Sequence, residues 1–194
     1  FAKAIDDFEG PYGNGLLTKY KIESAESIII PDPNPREYPG GFYETRCLLK
    51  ARLEGGLTVL ITHFGLNPDE QENAVKTVLE NLEDEKCVLM GDFNAEPDDK
   101  IFKGIYERMT SLMPQKRKEL NQAQGTYYFR KLWGYLDHIL VSPNLAPNIE
   151  ERIEVGDFPF LLTEKGTPWR TFQGPVYKGG FSDHLPIWVD LLSK

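Results

Sequence analysis

The chain has 194 residues, 40% of them hydrophobic and 27% charged, and a formal net charge of −8 at pH 7. These values suit one soluble globular domain over residues 1–194, and no apolar run approaches the roughly 20 residues needed to cross a bilayer. The acidic balance argues against broad electrostatic capture of nucleic acid, although it permits a local basic groove.

The compartment and the oligomeric state are left open by the sequence. Nothing near Phe1 has the pattern of a signal peptide, so both a cytoplasmic and a secreted protein remain possible. Cys47 and Cys87 fall in predicted strands, which favours two small buried side chains over a disulfide.

The first third of the chain is predicted to be mainly β-structure. Residues 1–13 have little periodicity, and residues 10–15 are rich in turn formers. The predicted features that follow are a strand at 16–22, β-structure at 28–30, a proline-rich loop at 31–39 and a hairpin at 42–62. Gly55-Gly56 would make the hairpin turn, and His63 would end its second strand.

The clearest helix follows the hairpin. Asn67 can cap it, Pro68 suits its first position, and Glu70 lies three residues after the cap, which is close to a capping box. Apolar residues then recur at helical spacing and predict one buried stripe, formed by Ala74, Val75, Val78, Leu79 and Leu82. Since a strand lies on each side of this helix, the sequence predicts an α/β fold.

The strongest functional signal is the stretch from Val88 to Pro97, with the sequence VLMGDFNAEP. Residues 87–90 predict a buried strand, and Gly91 would let the backbone turn or approach a ligand. Asp92 and Asn94 follow the carboxyl end of that strand, where open α/β sheets bind ligands. An ordinary Asx turn would explain the same residues about as well.

The second half of the chain predicts shorter elements. They are a short helix from residue 97, a polar loop at 114–124, strands at 126–129 and 136–141, an unassigned segment at 147–180 and a last strand at 186–192. Unassigned segments this long are often functional or mobile.

All three histidines lie at predicted strand boundaries beside polar or acidic residues, as Thr62-His63, Asp137-His138 and Asp183-His184. A carboxylate next to an imidazole fixes its tautomer and supports its charged form, which hydrolysis requires. His138 is the weakest of the three, because inside a strand its side chain can simply point into the core.

The polar inventory favours phosphoester hydrolysis with a hard cation such as Mg²⁺, which is bound by a few carboxylates, water and substrate oxygens. It fits zinc poorly, because the sequence has neither a helical histidine pair nor a cysteine cluster. Neither a Gly-x-Ser-x-Gly nucleophile elbow nor a Walker or dinucleotide loop is present.

Four motifs in this order resemble the endonuclease/exonuclease/phosphatase superfamily. They are Thr62-His63-Phe64, Gly91-Asp92-Phe93-Asn94, the sequence LDHILVS at 136–142 and Ser182-Asp183-His184-Leu185-Pro186. Residues 12–17, YGNGLL, are also similar to an early strand of that family, so the resemblance extends over nearly the whole chain.

The resemblance implies a four-layered α/β sandwich, in which two packed, mostly antiparallel mixed sheets are flanked by helices, and a phosphoester hydrolase that uses Mg²⁺ or Mn²⁺. It implies that His184 is the general base or a phosphate contact oriented by Asp137, and that Asp183 belongs to the metal site. It further implies that Asp92 orients or activates the attacking water, that Asn94 fixes this water and a phosphate oxygen, and that His63 binds or protonates the phosphate.

One departure from the family pattern concerns its first strands and the metal-binding glutamate that they carry. Neither precedes Tyr12, so the chain is expected to lack the front of the domain and, by itself, to bind metal weakly and turn over poorly. The candidates Glu9, Glu44 and Glu70 do not lie in the corresponding motif.

Three functions remain open from the sequence. The first is a nuclease-type phosphodiesterase, the second a phosphatase or a sphingomyelinase-like lipid phosphodiesterase of the same fold, and the third a non-catalytic binding module. Side chains that could contact nucleic acid, but that are more simply read as solvated charges and core aromatics, are Arg130, Lys131, Arg170, Lys178, Tyr127, Tyr128, Trp133 and Trp169.

Overall fold

A computed structural model describes residues 1–7, 10–33, 43–113, 124–146 and 153–191. Its helices are α1 (Pro68–Asn81) and α2 (Lys103–Tyr106). Its strands are β1 (Ala2–Asp7), β2 (Gly10–Asn14), β3 (Ile22–Ile29), β4 (Cys47–Leu53), β5 (Leu57–His63), β6 (Cys87–Asp92), β7 (Thr110–Ser111), β8 (Tyr127–Phe129), β9 (Leu132–Gly134), β10 (Asp137–Val141), β11 (Glu154–Val155), β12 (Phe172–Gln173), β13 (Val176–Tyr177) and β14 (Ile187–Trp188).

The largest element is a six-stranded mixed sheet in the order β3-β4-β5-β6-β10-β7. β5 and β6 are parallel because α1 connects them, and the other neighbours in the sheet are antiparallel. Four two-stranded sheets complete the β-structure that is described, namely β1-β2, β8-β9, β11-β14 and β12-β13.

Alternate residues of the central strands face two different layers, as the pleat requires. In β6, Leu89 packs toward α1 with Val78, whereas Val88 packs on the other side with Ile139 and, at the edge, Ile187. The described residues thus form a helical layer, a central sheet and a further β-layer. The predicted α/β sandwich fold is confirmed.

Most of the predicted elements near the centre of the chain are confirmed. The hairpin forms as β4 and β5, and α1 begins at Pro68 with the Asn67 N–H donating to Glu70 Oε2 at 3.1 Å. Cys47 and Cys87 are buried free thiols, as predicted. The short helical segment begins as a 3-10 turn at Lys100 and not at residue 97.

The N-terminal prediction is wrong by one element. Residues 16–21 form no strand, and β3 begins only at Ile22. The glycine-rich residues of β2, predicted as turns, pair instead with β1, because an edge strand tolerates Gly13 and Pro11 where a central strand does not. Also different are the last strand, which is only β14, and the predicted loop at 114–124, which lies outside the described residues except for residue 124.

Within the described part of the chain, no helix combines the length and the apolar character needed to cross a membrane.

Gly91 allows β6 to approach β5 closely near the carboxyl ends of both strands. Its φ is 147°, and a Cβ there would lie 1.8 Å from the Thr62 carbonyl oxygen. We expect Gly91→Ala to lower the free energy of unfolding by about 3 kcal/mol or more, since it adds backbone strain to a clash with main-chain atoms. Urea denaturation measures this change.

Gly15→Ala is the matched control, because a Cβ at Gly15 meets no heavy atom within 4 Å. We expect the control to change the free energy of unfolding by less than about 1 kcal/mol. Equal losses in the two variants would contradict the close approach at Gly91.

Candidate active site

The register of three neighbouring strands brings His63, Asp92 and Asp137 into one row. His63 ends β5 opposite Asp92, and Asp92 ends β6 opposite Asp137, the first residue of β10. Side chains directly opposite each other lie on the same face about 5 Å apart. His63 Nε2 accordingly lies 3.4 Å from Asp92 Oδ2.

His184 joins this row from the C-terminal segment. A β-bridge between Tyr127 and His184, and a 2.7 Å hydrogen bond from the Leu185 N–H to the Thr126 carbonyl, hold that segment against β8. The His184 Nδ1–H donates to Asp137 Oδ2 at 2.7 Å, and Nε2 lies 3.8 Å from Asp92 Oδ2. Ligand atoms of Asp92, Asp137 and His184 all lie within 4.8 Å of one another.

Asn94 fixes the loop that carries Asp92. It has a left-handed backbone with φ of 47°, and its N–H donates to Asp92 Oδ1 at 2.8 Å, which forms the Asx turn considered from the sequence. Its side-chain Nδ2 donates to the Phe64 carbonyl at 2.9 Å. The turn and the site therefore coexist, since the turn is what orients the Asp92 carboxylate.

The proton on His63 is placed by Arg46, a residue that the sequence motifs did not reveal. Arg46 Nη1 donates to His63 Nδ1 at 2.9 Å and to the Tyr12 hydroxyl at 3.0 Å, and it pairs with Glu44 at 3.2 Å. Because Nδ1 accepts, a neutral His63 carries its proton on Nε2, which faces Asp92. Burial, and then the charge of Arg46, lower the pKa of His63 to about 4. This favours His63 as a neutral hydrogen-bond donor over an acid that protonates the phosphate.

The pKa values of Asp92 and His184 are shifted in the direction opposite to that of His63. Burial raises the pKa of Asp92 to about 6, although the Asn94 N–H acts against it, and Asp137 adds like-charge repulsion. Burial alone would lower the pKa of His184, but its hydrogen bond with Asp137 and the nearby carboxylate charges raise it. Groups whose pKa values are displaced within one crevice are typical of catalytic sites.

A divalent cation fits the donor set of this crevice. Two carboxylates and one imidazole lie within reach of a single ion, and oxygen-rich sets suit Mg²⁺ or Mn²⁺. Asp183 lies outside this three-residue group. Its Oδ2 is 3.6 Å from Arg170 Nη1, and its side chain is 46% exposed, so its role as a metal ligand stays a prediction.

Other candidates from the sequence lie elsewhere. His138 is fully buried, and its Nε2 lies 2.8 Å from the Ala95 carbonyl in the core, which was the alternative considered for it. Glu44 is paired with Arg46, and Glu70 is engaged in the N-cap of α1. Glu9 lies outside the described residues.

No local sequence signal reveals Arg46. Leu48 pairs with Thr62, so the same register continued by one residue brings Cys47, and not Arg46, opposite His63. Arg46 lies just before the start of β4 and reaches the histidine through its long side chain.

Replacing Arg46 with methionine is expected to raise the pKa of His63 by about one pH unit or more, because removal of a neighbouring cation favours the imidazolium. The Nε2–H tautomer should persist, because the Tyr12 hydroxyl lies 3.3 Å from His63 Nδ1 and can donate to it. ¹⁵N NMR titration of the histidine rings measures both quantities.

Arg52→Met is the control for this experiment, since Arg52 is a half-exposed arginine at the other end of β4 that pairs with Glu23 and Glu83. The control should leave His63 unchanged. A His63 titration that is the same in Arg46→Met and in the original protein would contradict the assigned hydrogen bond.

Comparison with known proteins identifies the class of protein to which this fold and site belong. A sequence profile described as the endonuclease/exonuclease/phosphatase family matches residues 69–193, which is more than half of the chain. The chain therefore belongs to the endonuclease/exonuclease/phosphatase family, as its motifs predicted. No curated protein gives a significant sequence match.

Solved structures share the fold at low sequence identity. An endonuclease/exonuclease/phosphatase family protein from Bacteroides thetaiotaomicron is 16% identical with a TM-score of 0.56, over 88% of this chain and 65% of that chain. A mannosyl-6-phosphatase from the same organism is 17% identical with a TM-score of 0.58, over 90% of this chain and 68% of that one. A 3′-5′ exonuclease from Neisseria meningitidis is 19% identical with a TM-score of 0.57, over 90% and 73%. The chain thus spans about two thirds of the length of the first of these proteins.

Proposed function

We propose that this protein is a divalent-metal-dependent phosphoester hydrolase, and specifically a phosphodiesterase of the endonuclease/exonuclease type. Membership of the family supports the hydrolase class. The phosphodiester specificity and the activity of the whole protein are parts of the proposal.

The observation that carries the proposal is the convergence of Asp92, Asp137 and His184 within 4.8 Å. These residues come from two strand ends and a distant C-terminal segment, so the fold itself brings them together. Hydrolysis of a phosphoester needs a positioned water, a base and neutralisation of oxygen charge, and this crevice offers groups for each.

Each residue of the crevice has a separate chemical role in the proposed reaction. His184, oriented by Asp137 through a 2.7 Å hydrogen bond, accepts the proton of the attacking water at Nε2. Asp92 is held by the Asn94 N–H, and its Oδ2 lies 3.8 Å from the His184 Nε2. From this position the Asp92 carboxylate orients the attacking water. His63 donates its Nε2–H to a phosphate oxygen. Because Asp137 and His184 are hydrogen-bonded to each other in these roles, Mg²⁺ or Mn²⁺ would be held by Asp92 and by the predicted ligand Asp183, and would neutralise charge on the phosphoryl oxygens.

The discriminating experiment offers the protein three substrates in parallel, each with Mg²⁺ and with a chelator. They are plasmid DNA, sphingomyelin and an inositol polyphosphate. Metal-dependent cleavage of plasmid is the expected result. Cleavage of sphingomyelin or of the inositol polyphosphate alone would favour the lipid phosphodiesterase or the phosphatase, and cleavage of none would favour a non-catalytic binding module.

A further inference from the structure

A cavity of about 880 Å³ lies beside the crevice, between β8 and the segment that contains β12 and β13. Its lining includes four cations and three large aromatic side chains, and we call it the basic cavity. These residues are Tyr128, Phe129, Arg130, Lys165, Trp169, Arg170 and Lys178.

The charge of the basic cavity is opposite to that of the chain. Its lining has four cationic side chains against the single acid Glu164, whereas the chain has 22 lysines and arginines against 30 acids. Arg130, Lys165 and Lys178 are exposed. Of the four cations, only Arg170 forms a salt bridge with another described residue. Such a local excess of positive charge attracts an anion.

Arg170 connects the basic cavity to His184 of the candidate active site. Its guanidinium lies 5.6 Å from the centre of the Tyr127 ring and 5.9 Å from that of Phe129. The Tyr127 ring in turn lies 4.6 Å from the His184 ring. Arg170 also pairs with Asp183 and donates to the Tyr128 carbonyl, so its position is fixed from both sides.

The aromatic residues of the lining support the cations. Arg130 lies over the Phe129 ring at 5.1 Å, and Arg170 lies near the same ring. The Trp169 indole N–H donates to the Lys178 carbonyl at 3.1 Å, and its ring meets Phe181 edge-on. Guanidinium groups arranged in this way suit the fork geometry of phosphate recognition.

We propose that the basic cavity binds a second phosphate of the substrate while His184 and Asp137 act on the first. The inference rests on the proposed function and narrows it to phosphoesters that carry a further phosphate nearby. Both a nucleic-acid strand and a small polyphosphorylated molecule present this chemistry.

The test compares dinucleotides that differ only in the additional phosphate, namely TpT and the same dinucleotide with a 5′-phosphate or with a 3′-phosphate, each with Mn²⁺. Bis(p-nitrophenyl) phosphate, also with Mn²⁺, serves as a minimal diester that has no second phosphate. An inositol monophosphate and an inositol bisphosphate form the second arm and distinguish the small-molecule source from the strand.

In the original protein we expect one of the phosphorylated dinucleotides to have a KM about 10-fold below that of TpT, which corresponds to one charge-assisted hydrogen bond. Lys165→Gln combined with Lys178→Gln should abolish this preference and leave the rate on bis(p-nitrophenyl) phosphate unchanged. Lys19→Gln combined with Lys76→Gln is the matched control, because it removes the same charge from exposed positions outside the cavity.

A preference that survives in the Lys165/Lys178 variant, or that is equally lost in the Lys19/Lys76 control, would overturn the inference. So would the absence of a preference in both arms. A preference in the inositol arm alone would support the cavity and assign it to small polyphosphates.

Failure of the proposed function is recognised separately, because bis(p-nitrophenyl) phosphate would then not be hydrolysed. In that case Trp169, which lines the cavity, reports binding directly by its fluorescence. Quenching by the phosphorylated dinucleotide, absent in Trp169→Phe and in the Lys165/Lys178 variant, would support the basic cavity without catalysis. Equal quenching in the Lys165/Lys178 variant would overturn it.

Discussion

Replacing His184 with alanine is expected to lower kcat/KM for a phosphodiester at least ~10²-fold, the range that a general acid or base contributes. The His184 Nε2 lies 3.8 Å from Asp92 Oδ2, and its Nδ1 is fixed by Asp137. Removal of the ring leaves the attacking water without a base. The loss should appear mainly in kcat, since the base acts in the chemical step.

The control for His184→Ala is Asp190→Ala, an exposed acid in the same C-terminal segment. It should keep full activity. Thermal unfolding of both variants should match that of the original protein, because the His184 side chain is 24% exposed and outside the core. An unchanged rate in a folded His184→Ala protein would remove His184 from the role of base.

Replacing Asp137 with asparagine is expected to lower kcat/KM about 10²-fold and to move its pH dependence. The activity of a general base falls as the pH drops through its pKa, because the protonated form cannot accept the proton of the water. The carboxylate of Asp137 stabilises the imidazolium and raises the pKa of His184. Without that charge the pKa falls, so the acidic limb of the profile should move to lower pH by about one pH unit or more.

The direction of this displacement is the informative part of the Asp137→Asn experiment. A residue that only supported the strand would lower the rate at every pH and leave the midpoint where it was. A displacement toward higher pH would contradict the pairing of Asp137 with His184.

The sequence predicted the central part of the fold well because its signals there are local and dense. The capping residues Asn67 and Glu70 mark the start of α1, and Gly55-Gly56 marks the hairpin turn. The β1-β2 pair was missed because its glycines are turn formers by local preference. Its strand character comes from pairing with residues 2–7, which a window over residues 10–15 does not contain.

The position of the candidate site was predicted in part, because most of its residues lie in local motifs. His63, Asp92, Asp137 and His184 come from motifs at strand ends, and the register of β5, β6 and β10 brings the first three together. Arg46 lies in no motif, and its contact with His63 depends on how β4 is aligned with β5. The basic cavity likewise forms only when β8 packs beside a segment some forty residues later in the chain, which composition alone does not reveal.

Binding of a metal and a phosphate in the crevice of Asp92, Asp137 and His184 is tested most directly by a crystal structure. The crystal is soaked with Mn²⁺ and inorganic phosphate, and the metal is located by its anomalous scattering. We expect a Mn²⁺ peak in contact with the Asp92 carboxylate, and a phosphate within hydrogen-bond distance of His63 and His184. A Mn²⁺ peak bound elsewhere, with no metal or phosphate in the crevice of Asp92, Asp137 and His184, would contradict it.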